Sequence, residues 1–505
     1  MRISGLTLAA CLAGAVLAEP ALAAPRCENT ANFAAWLDQF KKDAIAEGVS
    51  PKVVAAASPY LTFDESVIKR DSGQGVFQRT FLDFSNRLIG GARIPNGKAK
   101  MAEHAALFSR IEKTYGVPPE VIAAVWGLES DYGSLFGKFK ILPSLTTLAY
   151  DCRRGDHFRP ELMDALRIVQ RGDQKLDEMN GNWAGEFGGM QFTPTNYIKY
   201  GVDFDGDGRR DLIKSIPDTL ASAANYLKSI GWRRGEPWLQ EVRVPAEMPW
   251  QESDLEIKHP RAQWVKWGVR AAHGSLPSDG MEASLILPMG RQGPAFLAYS
   301  NFRVFIDWNS SFVYATTVAY FATRLGGAPP VNEDGSRHIK PLSTEQMMDL
   351  QRELAKHGHD VGDVDGRLGA GTRKAVKAMQ LKYNMPADSW PTEELIARLH
   401  RDTAPPSART PIAGANASAA PSSAKRLDAE PPVHKKPAAT PAPDKKQAAV
   451  PPDEKKQGAA ARVIQVQPAR QAPSPEQKVT VRVMTVRGCL VLTMPVSRAR
   501  EYRRC

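Results

Sequence analysis

One carboxylate is placed where it could do proton chemistry. Glu129 lies in the run Pro118-Pro119-Glu120-Val121-Ile122-Ala123-Ala124-Val125-Trp126-Gly127-Leu128-Glu129-Ser130-Asp131-Tyr132-Gly133. Proline in a first turn costs a helix no hydrogen bond, so the run predicts a helix to about Ser130 that Gly133 helps to end. Glu129 comes four residues after Val125 and seven after Ile122, so it continues their apolar face and is expected to be partly buried. Desolvation favours the protonated form of a carboxyl, which a general acid at neutral pH requires. Asp131, two residues on, points to the other side, so the two do not form a local pair of carboxylates. A Glu on an apolar face is more commonly a cap or an ion-pair partner, so its surroundings decide.

A second cluster could hold a metal. Asp203-Phe204-Asp205-Gly206-Asp207-Gly208-Arg209-Arg210-Asp211 places Asp203, Asp205, Asp207 and Asp211 at the first, third, fifth and ninth positions of an EF-hand loop, with glycine sixth. The twelfth position, where a bidentate acid belongs, is Lys214. The expectation is an Asp-Gly turn with little affinity for calcium, and no cofactor is required.

The elements that must position these residues follow from periodicity. Phe33, Trp36, Leu37 and Phe40, then Phe77, Phe81, Phe84 and Leu88, then Leu107, Ile111 and Tyr115 recur at helical spacing, so residues 28–115 read as helices. From about Gln240 to Asp307, alternating runs such as Glu241–Val244 and Ser284–Leu287 end at Pro or Gly and suggest strands. Helix returns over Ser311–Leu325, and residues 328–340 read as a polar linker. Residues 341–401 make a small helical unit. Residues 402–477 are rich in Ala, Pro and Lys with hardly any aromatics and are expected to be disordered. Residues 478–494 alternate as a hairpin would.

The chain has 505 residues and a formal charge of +11. Residues 402–505 hold 18 Lys and Arg against 8 Asp and Glu, so nearly all of that charge is in the tail. The near-neutral body weighs against a basic nucleic-acid groove; the tail suits an anionic partner in the envelope. Arg2, the apolar run Ile3–Ala18 and Ala21-Leu22-Ala23 read as an export signal over residues 1–23, with cleavage, which implies a periplasmic protein. Leu8-Ala9-Ala10-Cys11 resembles a lipobox but comes early in the apolar run, which disfavours a lipoprotein. No later stretch of about 20 apolar residues offers a transmembrane segment. Four cysteines remain after cleavage in a compartment that permits disulfides. Of the three full pairings, Cys27–Cys152 with Cys489–Cys505 keeps each bridge within one region; free thiols are the other reading. No Cys/His cluster has zinc spacing.

Several motifs together resemble the B family of lytic murein transglycosylases. They are Val125–Gly133, Leu145–Arg154, Asn182–Pro194, Asp203–Asp211, Ala224–Leu227, Gly231-Trp232, Tyr299–Phe302 and Trp308-Asn309, in order across about residues 27–327. The resemblance implies an α+β, mainly helical fold: a lysozyme-like catalytic core over residues 24–327, with a helical N-terminal part and a small β insertion. It also implies that Glu129 protonates the glycosidic oxygen between N-acetylmuramic acid and N-acetylglucosamine in peptidoglycan strands. The same carboxylate then takes the proton of the muramoyl 6-hydroxyl, closing a 1,6-anhydro ring without consuming water, so the usual carboxylate pair is not needed. By the same resemblance Gln191, Asn182 and Asn309 would bind the sugar, Trp308 and Tyr314 would line the cleft, and Arg153 and Arg154 would meet peptide carboxylates. Some relatives bind calcium at the acidic loop. Asn182 stands where the family usually has Ser, and Gly189-Met190 replaces a more typical pair before Gln191. Leu350-Gln351, Leu354, Gly358, Asp365-Gly366, Gly369, Thr372, Ala375-Val376 and Met379-Gln380 resemble the three-helix peptidoglycan-binding domain, with Thr372 as a candidate helix cap and tethering as the implied role. A hydrolytic muramidase and a non-catalytic wall-binding protein are the competing readings.

Overall fold

The computed structural model describes residues 32–72, 79–333 and 336–403, and the strands 478–485 and 488–495. The export signal, Cys27, Phe77, the Ala/Pro/Lys-rich stretch and the proposed Cys489–Cys505 bridge lie outside the described residues. Cys152 is disulfide-bonded. The chain divides at residue 404 into two units.

The first unit begins with short helices whose ends are written in the sequence. Phe33–Ala46 is capped by the side chain of Asn32, Pro51–Ala57 by Ser50 and Phe81–Ile89 by Thr80. Ala105–Tyr115 ends on Gly116 at φ 78°, the left-handed position that glycine fills without strain. The acid helix, Pro119–Ser130, follows. It is buried on nearly all sides from Val121 to Gly127 rather than along one stripe. The long helix Phe312–Leu325 and the helix Arg93–Glu103 pack against it. Gly127 leaves room for the long helix and for Tyr132: a Cβ there would stand 3.0 Å from Phe321 and 2.8 Å from the Tyr132 ring. Helices Ile141–Tyr150 and Gly155–Arg171 then pack on each other, and Pro194–Tyr200 packs on the second.

Between helix Ile216–Ser229 and the long helix lies an antiparallel five-stranded sheet. Its strand order is His259–Pro260, Glu282–Ile286, Ala295–Ala298, Leu239–Arg243, Arg270–Ala271. The alternating runs predicted two of these strands, and Trp250, Trp264, Leu285, Leu297 and Tyr299 form the sheet's core. The strand reading does not extend to Asp307, because Ser300–Trp308 is a helix. Short apolar runs do not separate the two states. Here a long-range network decides: Asn301, fully buried, donates to the carbonyls of Arg233 and Glu236 and accepts from Arg233 N–H.

Residues 344–403 form the three-helix unit: Thr344–Lys356, Ala370–Lys382 and Glu393–Thr403 around Leu350, Leu354, Val376, Leu395 and Leu399. The first helix carries a capping box, Ser343 with Gln346. Thr372 does not cap the second helix; Gly369 occupies that position, and Thr372 is buried beside Gln351 Nε2. Gln351 instead organises the turn, donating to the carbonyls of Asp363 and Arg367 and accepting from Gly366 N–H. The polar linker 328–340 begins with residues fixed to the domain before it. Val331 is buried with its N–H on Tyr320 Oη, Asn332 N–H donates to Glu241, and Glu333 accepts from Asn86.

In the second unit, Lys478–Thr485 and Gly488–Pro495 pair antiparallel, as the alternation predicted. Among the described residues no helix is long and apolar enough to cross a membrane.

Candidate active site

Glu129 stands on the last turn of the acid helix, half-buried, as its face position predicted. The helix stops abruptly after it. Asp131 and Tyr132 adopt φ 50° and 59°, a conformation L-residues resist, and Gly133 follows at 79°. Such a turn persists only where its surroundings over-determine it. Asp131 forms an ion pair with Arg93 at 3.0 Å, and Tyr132 Oη donates to the Arg93 carbonyl at 2.7 Å. Asp131 is therefore a structural anchor of the turn.

The carboxylate of Glu129 is held by two residues from a corner 180 positions away. Trp308 Nε1 donates to Oε1 at 3.1 Å, and Tyr314 Oη donates to the same oxygen. Trp308 ends the helix Ser300–Trp308, and Tyr314 lies in the first turn of Phe312–Leu325, capped by Ser311, whose Oγ accepts Tyr314 N–H. Asn309 shapes the corner by accepting Ser311 N–H at 3.1 Å. Two donors on one oxygen fix the carboxyl plane and favour its charged form. Oε1 thereby has both lone pairs occupied. Trp308 and Tyr314 therefore contact the acid itself, beyond the cleft-lining role that the family resemblance implied. Trp308 also packs on Phe192 and Tyr226, with ring centroids 5.7 and 5.1 Å away.

The third wall is the loop Gly181–Gln191. Ser130, directly after the acid, fastens it: its buried Oγ donates to the Gly189 carbonyl at 2.6 Å and accepts Gly133 N–H at 3.0 Å. One side chain thereby joins the strained turn to the loop of Gln191. Gln191 itself has φ 49°, and its Nε2 donates to the Gly188 carbonyl at 3.0 Å. Beyond it, Glu161 receives Thr195 N–H at 2.9 Å and anchors the helix that follows Gln191. Burial pushes the Glu161 carboxyl up to about 7. Neither Ser130 nor Glu161 was singled out from the sequence. The adjacency of Ser130 to Glu129 was the one available signal.

Other expected contact residues have partners within the chain. Asn182 holds its own turn: Oδ1 accepts from Ala184 and Glu186 N–H, and Nδ2 donates to Glu186 at 2.5 Å. Arg153 bridges Asp151 and Asp71, with 48% of its side chain exposed, and remains placed to meet an anion. Arg154 pairs with the same Asp71, whose side chain is 4% exposed, and lies 5.9 Å from the Trp183 ring.

In the acidic loop Asp203 accepts from the N–H groups of Gly206 and Gly208, an Asp-Gly turn. Asp211 turns inward, accepting from Gln174 and from the N–H groups of Ile213 and Lys214. Asp207 caps Arg209 N–H at 2.8 Å. The Lys214 ammonium points away and pairs with Glu178 at 2.7 Å. Asp218, from the next helix, joins Asp203 and Asp205, with one carboxylate oxygen from each within 4.8 Å of the others. Three convergent carboxylate oxygens fit a single hard cation, so these residues, rather than Asp207 and Asp211, would hold calcium.

Residues 32–323 match the transglycosylase SLT domain family, and residues 343–399 match the putative peptidoglycan-binding domain. The chain belongs to the transglycosylase SLT domain family. Its SLT domain includes Glu129 and the two residues that donate to it, Trp308 and Tyr314. Among solved structures it is similar to SltB3 from Pseudomonas aeruginosa in complex with NAG-anhNAM-pentapeptide: 40% identity, TM-score 0.69, over 73% of this chain and 99% of that one. It is also similar to the Escherichia coli lytic transglycosylase SLT35 in complex with calcium: 26% identity, TM-score 0.50, over 57% and 92%. The membrane-bound lytic murein transglycosylase B of Escherichia coli (strain K12) is 31% identical over 246 residues, which is 47% of this chain and 65% of that relative's length. The expected fold, a lysozyme-like SLT domain with a β insertion and a helical binding module, is the observed one.

Proposed function

We propose that this protein is a peptidoglycan lytic transglycosylase that cleaves the β-1,4 bond between N-acetylmuramic acid and N-acetylglucosamine and leaves 1,6-anhydro ends. The observation that carries this reading is the setting of Glu129: a half-buried carboxyl in an SLT domain, with Trp308 Nε1 and Tyr314 Oη both on Oε1. The protonated Oε2 donates to the glycosidic oxygen and the bond to C1 breaks. The charge developing on the sugar is met by its own acetamido group. The carboxylate then takes the 6-hydroxyl proton as that oxygen closes on C1, which restores the acid. Gln191, Asn309 and the exposed part of Arg153 are proposed to position sugar and peptide. The test is mass spectrometry of muropeptides after digestion of purified sacculi. Anhydromuropeptides are expected; reducing N-acetylmuramic ends would point to a hydrolytic muramidase, and no turnover to a wall-binding protein.

Calcium is proposed as a structural ion only, held by Asp203, Asp205 and Asp218, with no part in the chemistry. Millimolar calcium is expected to raise the melting temperature by about 2–4 °C, as a ligand near tenfold above its dissociation constant would for a chain of this size. Asp205→Asn should abolish the rise, and an unchanged wild-type melting temperature would return the loop to a plain Asp-Gly turn. The export-signal reading of residues 1–23 and the disulfide at Cys152 support a periplasmic location, and the basic residues after 401 are proposed to meet an anionic envelope surface.

A further inference from the structure

The three-helix module is joined to the SLT domain by more than a chain segment. Two cations on its second helix, four residues apart and so on one face, both find acceptors in the SLT domain. Lys377, 8% exposed, pairs with Asp254 at 3.0 Å. Arg373 Nη2 donates to the Pro288 carbonyl at 3.1 Å. The module's Asp388 accepts Arg291 N–H at 3.0 Å, and a Cβ on Gly290 would stand 2.6 Å from that of Trp390. Burying cations at a junction costs stability unless their geometry is satisfied, and such groups are best understood as fixing orientation. A tether that only raised local concentration would not need one orientation.

Arg373 shows where that orientation is directed. Its guanidinium lies 5.0 Å from the ring centroid of Phe312 and 6.0 Å from that of Trp390, so it is held between an aromatic ring from each domain. Its Nε is sealed from solvent with no hydrogen-bond partner, so its placement is not explained by hydrogen bonding alone. Phe312 is the first residue of the helix whose first turn carries Tyr314, and Tyr314 donates to Glu129.

We propose that Arg373 is a positioning residue for the acid: the module clamps Phe312, and with it the first turn from which Tyr314 reaches Glu129. The module is thereby part of the catalytic apparatus as well as a wall anchor. The inference rests on the transglycosylase reading.

The test is a double-mutant cycle in the full-length protein, assayed on soluble uncrosslinked glycan strands. Arg373→Met is expected to lower kcat about tenfold with KM changed less than about twofold, the signature of a contact acting on the transition state alone. In a Tyr314→Phe background the same change should cost less than about twofold in kcat, because the route to the acid is already cut. Arg373→Lys, which keeps a cation against Phe312, should recover most of the loss. If Arg373→Met does not fold, Phe312→Leu removes the same contact from the other side and enters the same cycle. Equal losses of kcat in both backgrounds, or a loss confined to KM, would overturn the proposal. Absence of anhydro products from the wild type would instead sink the transglycosylase reading, so the two failures are distinguishable.

Discussion

Glu129→Gln is expected to abolish nearly all release of anhydromuropeptides from sacculi, a loss of about four orders of magnitude or more. General acid–base catalysis by one group is worth roughly 10²- to 10⁴-fold, and here one carboxyl serves both half-reactions. Gln keeps the size of the side chain and an acceptor oxygen for Trp308 and Tyr314, but it cannot carry the proton. The fold should survive, because the change opens no cavity and removes a charge that burial disfavours. Asp131→Asn should act differently. It weakens the pairing with Arg93 that supports the turn, so its cost should fall mainly on stability. The readout is product yield with each variant beside its melting curve. A folded Glu129→Gln that keeps more than about a tenth of the activity, far above what loss of a general acid permits, would remove Glu129 from its role.

Tyr314→Phe is expected to lower kcat about ten- to a hundredfold with little change in KM. The variant loses one hydroxyl and keeps the ring. A hydrogen bond to a charged group contributes about 1.5–3 kcal/mol, which corresponds to that range of rate when the charge is present only after proton donation. Trp308→Phe removes the other donor and should show the same pattern, with an additional loss of packing against Phe192 and Tyr226. Single-turnover kinetics on soluble strands separates the step. A Tyr314→Phe enzyme with wild-type kcat would mean that the hydroxyl does not support the acid during reaction. A rise in KM alone would return Tyr314 to sugar binding.

The family and its motif order were legible because each motif is local: helix, acid and Gly-rich loop are contiguous runs whose residue types are dictated by nearby backbone. The site's second half was only partly legible. Trp308 and Tyr314 were recognisable as members of the cleft, but a motif does not say which atom meets which. Their contact with Glu129 spans about 180 residues and depends on the crossing of the acid helix with Phe312–Leu325, which Gly127 allows. Asn182 illustrates the same point: its motif does not show that its side chain accepts Ala184 and Glu186 N–H and donates to the Glu186 carboxylate.

The acidic loop and the module separate the two levels of information. Sequence alone determined that Glu129 lies near the end of a helix on its apolar face, that globular segments precede a basic tail, and that an EF-hand-like run has a lysine at its last ligand position. These are statements about neighbours along the chain, governed by helical periodicity, turn chemistry and charge. Tertiary structure alone decided that Lys214 turns out to Glu178 while Asp218 turns in, because a ligand can be supplied by whichever helix packs beside the loop. It also decided that the module docks rather than dangles. Buried cations such as Arg373 and Lys377 have the same spacing on a solvated helix face, and only the opposing surface, with Pro288, Phe312 and Asp254, shows that they are buried.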